Sequence, residues 1–166
     1  MPISEYEVQG PLLVPVTKNP GGRVPDMESI LDLWQNDSAW RAIAKKKGCY
    51  VFALKAAKGY KPIYVGKATR SFKQECFAPH KQVKLLNALS LQQRGHLYLF
   101  LLCGSRNKAV VDNLETFLIQ VGTERNEHLQ NDRKRPVVIW SVTGVFNSKR
   151  GQPSSAAQKL RRVFGR

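Results

Sequence analysis

The chain has 166 residues, enough for one domain with a buried core, and at 42% hydrophobic with three tryptophans it is too apolar to be disordered. No apolar run approaches the roughly 18 residues of a membrane span, and the amino terminus lacks a basic-then-apolar signal pattern, so an intracellular, cytoplasmic home without membrane association is expected. The formal net charge of +15 is unevenly spread: residues 1–40 hold two basic and six acidic side chains, whereas residues 133–166 hold nine Lys or Arg and no acid. A field of that kind attracts polyanions, and nucleic acid is the expected partner. Cys49, Cys76 and Cys103 are odd in number and widely spaced, which fits neither a disulfide framework nor a zinc knuckle.

Taken in order, residues 1–25 carry prolines at 2, 11, 15, 20 and 25, with short strand-like pieces at 5–8 and 12–14. This spacing forbids a long helix and predicts an arm laid over the core. Asp26 is placed to cap a helix through Gln35, and Ser38 a second one containing Trp40, Ile43 and Ala44. Lys45-Lys46-Lys47 would sit at the carboxyl end of that helix, with Gly48 stopping it. Residues 49–54 and 62–65 are rich in β-branched and aromatic types and read as a hairpin joined through Gly59. Ser71 can cap a helix from Phe72, and residues 80–93 predict another with Val83, Leu86 and Leu89 inward. Residues 96–102 form an almost continuous apolar run, as a strand buried on both faces requires. Asn107 can cap a long helix to about Val121, with Val110, Val111, Leu114, Leu118 and Val121 inward. Residues 137–142 predict a last strand, 144–151 a basic loop, and Ser154 or Ser155 starts a basic helix that docks by Leu160 and Val163. The order gives an α+β domain, divided into an arm with helices (1–47), a core (48–143) and a basic C-terminal segment (144–166).

Five features fall in a telling order: Gly48-Cys49-Tyr50, Tyr64-Val65-Gly66-Lys67, a helix bearing His80, Glu115, and Leu118-Ile119 behind it. Together they resemble the GIY-YIG nuclease domain over roughly residues 48–131. Each tripeptide alone is common in strands, where a tyrosine is more often half-buried core, and a lone helical glutamate is by default a surface residue. The resemblance implies a small three-stranded antiparallel sheet flanked by helices, here with an N-terminal arm, an extra C-terminal strand and a basic helix. It further implies a metal-dependent endonuclease that hydrolyses phosphodiester bonds, with DNA as the expected nucleic acid.

By the same resemblance Glu115 would be the metal ligand, and a single carboxylate suits a hard ion that keeps most of its waters, Mg²⁺ or Mn²⁺. Tyr50 would be the general base or orient the water. Tyr64 would bind the scissile phosphate or the water, and Gly66 would let the backbone approach closely with Lys67 beside it. The family also places an arginine four residues before its helical histidine, but Cys76 stands four before His80. Arg70, Lys73 or Lys81 would supply the cation in an active enzyme, with Lys81 favoured because it adjoins His80. The late asparagine of the pattern is Asn131 or Asn126, with Asn131 favoured. Lys149, Arg150, Lys159, Arg161 and Arg162 read as phosphate-contacting surface. His96 and His128 have no partner pattern and read as structural. The missing arginine keeps a second function open, a nuclease-fold module that binds nucleic acid without turnover. A basic RNA-binding protein of unrelated fold is a third, which the paired motifs disfavour.

Overall fold

The computed structural model describes residues 6–57, 59–92, 94–104, 107–131, 145 and 153–165. The expected last strand at 137–142 lies outside the described residues, as do nearly all of the basic loop and both Lys149 and Arg150. The arm supplies β1 (Glu7–Leu13) and a small separate hairpin, β2 (Val16–Asn19) and β3 (Gly22–Pro25). Two helices follow, α1 (Met27–Asn36) and α2 (Ser38–Ile43), then the main hairpin, β4 (Gly48–Ala56) and β5 (Gly59–Ala68). Next come α3 (Phe72–Glu75), α4 (Pro79–Leu91), β6 (His96–Cys103), α5 (Lys108–Arg125) and α6 (Ser155–Val163). No helix among the described residues is long and apolar enough to cross a membrane.

Among the described residues the main sheet has four antiparallel strands in the order β1-β6-β4-β5, not three. β1 runs beside β6 from Glu7 opposite Cys103 to Leu13 opposite Tyr98, with an irregularity between Gln9 and Leu12. The reason lies in β6 itself: a run as apolar as Leu97 to Leu102 needs cover on both faces and a partner on each side. One face of the sheet packs on α1 to α4 around Trp34, Phe52, Phe72 and Leu89. The other packs on α5 and α6 around Val51, Phe100, Leu114 and Leu160.

Local chemistry explains most boundaries. The side chains of Asp26, Ser71, Asn107 and Ser154 each accept an amide bond at the start of α1, α3, α5 and α6. α2 departs from expectation, since Asp37 rather than Ser38 caps it, accepting from Ala39 and Trp40. Gly48 also does something other than end a helix. It opens β4 at φ +147°, where a Cβ would lie 1.9 Å from the Leu102 carbonyl oxygen of the neighbouring strand. Val83 is 57% exposed instead of inward, because α4 buries Leu85, Ala88 and Leu89, and Val83 sits two residues, about 200°, from Leu85.

Candidate functional site

Hairpin register places the two tyrosines. Tyr50 lies opposite Gly66 and Phe52 opposite Tyr64, so both phenols project into the layer formed by α3 and α4. The Tyr50 ring lies directly over Gly66, where a Cβ would meet its Cζ and Oη at 2.4 Å. Gly66 is thus required by the tyrosine of the adjacent strand. Tyr50 is fully buried, edge-on to Phe52 at 5.7 Å and tilted against Tyr64 at 6.4 Å, and its hydroxyl donates to the Glu75 carbonyl at 3.4 Å. Burial, then the neighbouring Cys76 and Tyr64, pushes its phenol far above the ordinary value. In this arrangement Tyr50 is enclosed in the core, with its hydroxyl turned to a backbone carbonyl.

The site proper is a cavity of about 310 Å³ beside edge strand β5, where the two helix layers meet. Tyr64 and Lys67 face it from β5, His80 and Lys81 from the first turn of α4, and Glu115 from α5, with Arg70 and Asn131 at its margin. Alternation along β5 sends Tyr64 and Lys67 to opposite layers. On the α4 side, Lys81 Nζ donates to Tyr64 Oη at 3.0 Å and lies 5.5 and 5.3 Å from the ring centres of Tyr50 and Tyr64. Burial lowers its pKa, against a smaller upward pull from Glu115. On the α5 side, Lys67 Nζ lies 2.7 Å from Asp112 Oδ1 and 3.0 Å from Glu115 Oε2. Burial alone would lower the Lys67 pKa, but hydrogen bonds to Asp112 and then Glu115 outweigh it, and the net shift is upward. Lys67 is therefore engaged with carboxylates rather than standing open beside Gly66.

The segment after α5 is fastened along the free edge of β5. Asn126 Nδ2 donates to the Pro62 carbonyl at 2.7 Å, and the Gln130 amide donates to Ile63 at 2.9 Å. Asn131 brackets Val65, accepting from its amide at 2.9 Å and donating to its carbonyl at 2.7 Å. Both candidate asparagines thus hold β5, but Asn131 lines the cavity and Asn126 is buried away from it. Cys76 is fully buried in the core beneath α3, a place with no room for a solvated cation. Lys73 is exposed on α3 and does not reach the cavity, and Lys159, Arg161 and Arg162 sit on α6, against the opposite face of the sheet. Arg70 is largely exposed, its guanidinium 3.9 Å from Glu75 Oε1.

Three participants escaped sequence reasoning. Asp112 precedes Glu115 by three residues, a spacing that puts both on one helix face and was available as a signal. Glu75 has none, because its carboxylate accepts from Thr69 at 3.2 Å and from the Arg70 amide only once the turn has folded. Lys84, one turn beyond Lys81, also faces the cavity.

A hard divalent cation takes oxygen ligands and retains waters when the protein offers few. Among the described residues no group of three or more His, Cys, Asp or Glu could hold a metal. Glu115 and Asp112 could supply one or two oxygens, with room in the cavity for the ion's waters. The set fits a hydrated ion, on condition that the ion replaces Lys67 as counter-charge to Glu115. Compared with protein-family models, curated proteins and solved structures, the chain matches none.

Proposed function

We propose that this protein is a divalent-metal-dependent endonuclease that hydrolyses phosphodiester bonds in DNA through a GIY-YIG-like site. The observation that carries the reading is convergence. Tyr64, His80, Lys81 and Glu115 come from three elements far apart in sequence and face a single cavity beside Gly66. Phosphoryl transfer is largely a matter of positioning and electrostatics, which asks for cations on the non-bridging oxygens and a group that manages the proton of water. Lys81 is the phosphate-binding cation in place of the missing arginine, directed by its bond to Tyr64. It lies next to the start of α4, whose first turn has no side-chain cap, and a helix amino terminus adds partial positive charge on the same side. With Tyr50 buried, His80 is the general-base candidate, because its imidazole is exposed and lines the cavity. Glu115, with Asp112 beside it, would hold Mg²⁺ or Mn²⁺, which when bound supplies charge neutralisation for the phosphate and the leaving oxygen.

A second reading is binding to nucleic acid without turnover, and one observation favours it: Lys67 is already paired with both Glu115 and Asp112 inside the protein. Plasmid and single-stranded DNA incubated with the full chain, with Mg²⁺ or Mn²⁺ and with chelator, separate the two. Metal-dependent cleavage that Glu115→Ala abolishes supports the endonuclease. Binding without cleavage under either metal leaves only the second reading.

A further inference from the structure

β5 carries a second cavity at its other end. It has a volume of about 280 Å³, and the described residues lining it include Lys61, Arg94, Arg125 and Tyr60 but no carboxylate. Three cations converging on one concavity repel one another, so the arrangement is favourable mainly when an anion shares it. Arg94 and Arg125 stand just past α4 and at the end of α5, where helix dipoles favour cations. That accounts for two of the three and leaves Lys61, on β5, without such a reason.

The basic C-terminal helix reaches the same place. Gly165, just beyond α6, lies against Arg125, since a Cβ there would be 3.2 Å from the guanidinium carbon. Burial and then Tyr98 raise the Tyr60 pKa, and Arg162 of α6 is near enough to pull weakly the other way. Tyr60 itself is braced edge-on by Tyr98 at 5.6 Å and Phe100 at 5.4 Å, and it carries Lys55 at 5.5 Å from its ring centre. A fixed aromatic ring among cations is a surface suited to a nucleic-acid strand.

We propose that this second cavity is a subsite for the sugar-phosphate backbone of the same DNA, held away from the point of cleavage. The inference rests on the endonuclease reading for its ligand. From Lys61 to Lys67 is six strand residues, about 20 Å at roughly 3.3 Å each. B-form DNA rises about 3.4 Å per phosphate on one strand, so the two cavities are about six base pairs apart. The segment ending at Asn131 crosses the strand edge between them, which makes two separate contacts rather than one groove.

The test is fluorescence anisotropy of a labelled duplex of about twenty base pairs against the full chain, titrated at several salt concentrations. The double variant Lys61→Gln/Arg94→Gln, both at exposed positions, is compared with wild type after circular dichroism verifies its fold. Each lost phosphate contact lowers the log–log salt slope by about 0.9, so the slope should fall by about two and affinity by about tenfold. Wild type that binds DNA with the same slope as the double variant overturns this inference alone. Wild type that binds no DNA overturns it together with the endonuclease reading.

Discussion

Lys67 and Lys81 face one cavity from opposite layers of the sheet, and their surroundings act on them in opposite senses. Lys67 reaches the α5 side and lies between two carboxylates, which raise its pKa despite burial. Lys81 reaches the α4 side and lies among phenol rings, where burial lowers its pKa. The first ammonium has its counter-charge inside the protein and contributes to the fold. The second is held at a desolvation cost, offset only in part by the more distant Glu115, cation–π attraction and a hydrogen bond to Tyr64. A cation maintained in that condition is suited to an external anion, and in the proposed function Lys81, not Lys67, would hold the phosphate.

The strongest way to break this contrast is to remove each ammonium in turn. Lys67→Met leaves Asp112 and Glu115 facing each other one helical turn apart, and should cost about 2–3 kcal/mol. That is below the fully buried case because the Lys67 side chain is 24% exposed. Lys81→Met should change stability by under about 1 kcal/mol, since the lost contacts and the relieved desolvation offset. Urea unfolding reads both, and equal losses would show that the two lysines are not distinct. The same Lys67→Met protein should gain more thermal stability from Mn²⁺ than wild type does, because its carboxylates have lost their internal partner.

Next in size is Gly66→Ala, expected at about 1–2 kcal/mol, since the new methyl must push the Tyr50 ring out of a packed position. A double-mutant cycle with Tyr50→Leu locates the clash, with a coupling above about 0.5 kcal/mol expected. Strictly additive losses would mean that Gly66 is needed for its backbone and not for the ring above it.

Much of this was readable from residues acting locally. The caps at Asp26, Ser71, Asn107 and Ser154 need only side-chain oxygens a few residues from free amides, and the hairpin needs only Gly59 between two β-rich runs. What escaped depends on distant partners. β1 is short, interrupted at Gly10-Pro11, and becomes a strand only beside β6, some ninety residues away in the chain. The ion cluster follows the same rule: period two could send Lys67 away from Tyr64, but only the sheet order brings Asp112 and Glu115 to meet it. Tyr50 shows a further limit. Its motif position was evident, yet its burial comes from α3 closing over the hairpin, with the Glu75 carbonyl as its hydrogen-bond partner.

The smallest effect carries the sharpest sign. Both lysines start from an ordinary value of 10.5. With the folded pKa of Lys67 above this, its contribution to stability is fully present below 10.5 and is lost as pH rises through the folded value. With the folded pKa of Lys81 below 10.5, the unfolded chain binds more protons between the two values, and this group adds stability as pH rises through that window. Lys67→Met should therefore flatten the alkaline fall in urea midpoint, and Lys81→Met should steepen it. Titrations common to both variants cancel in their difference. The gap between the two midpoints, in favour of Lys81→Met at about pH 8, should narrow towards about pH 11. A gap that holds constant over this range would mean that the carboxylates do not raise Lys67 and that burial does not lower Lys81, and the contrast between the two sides of the cavity would fall with it.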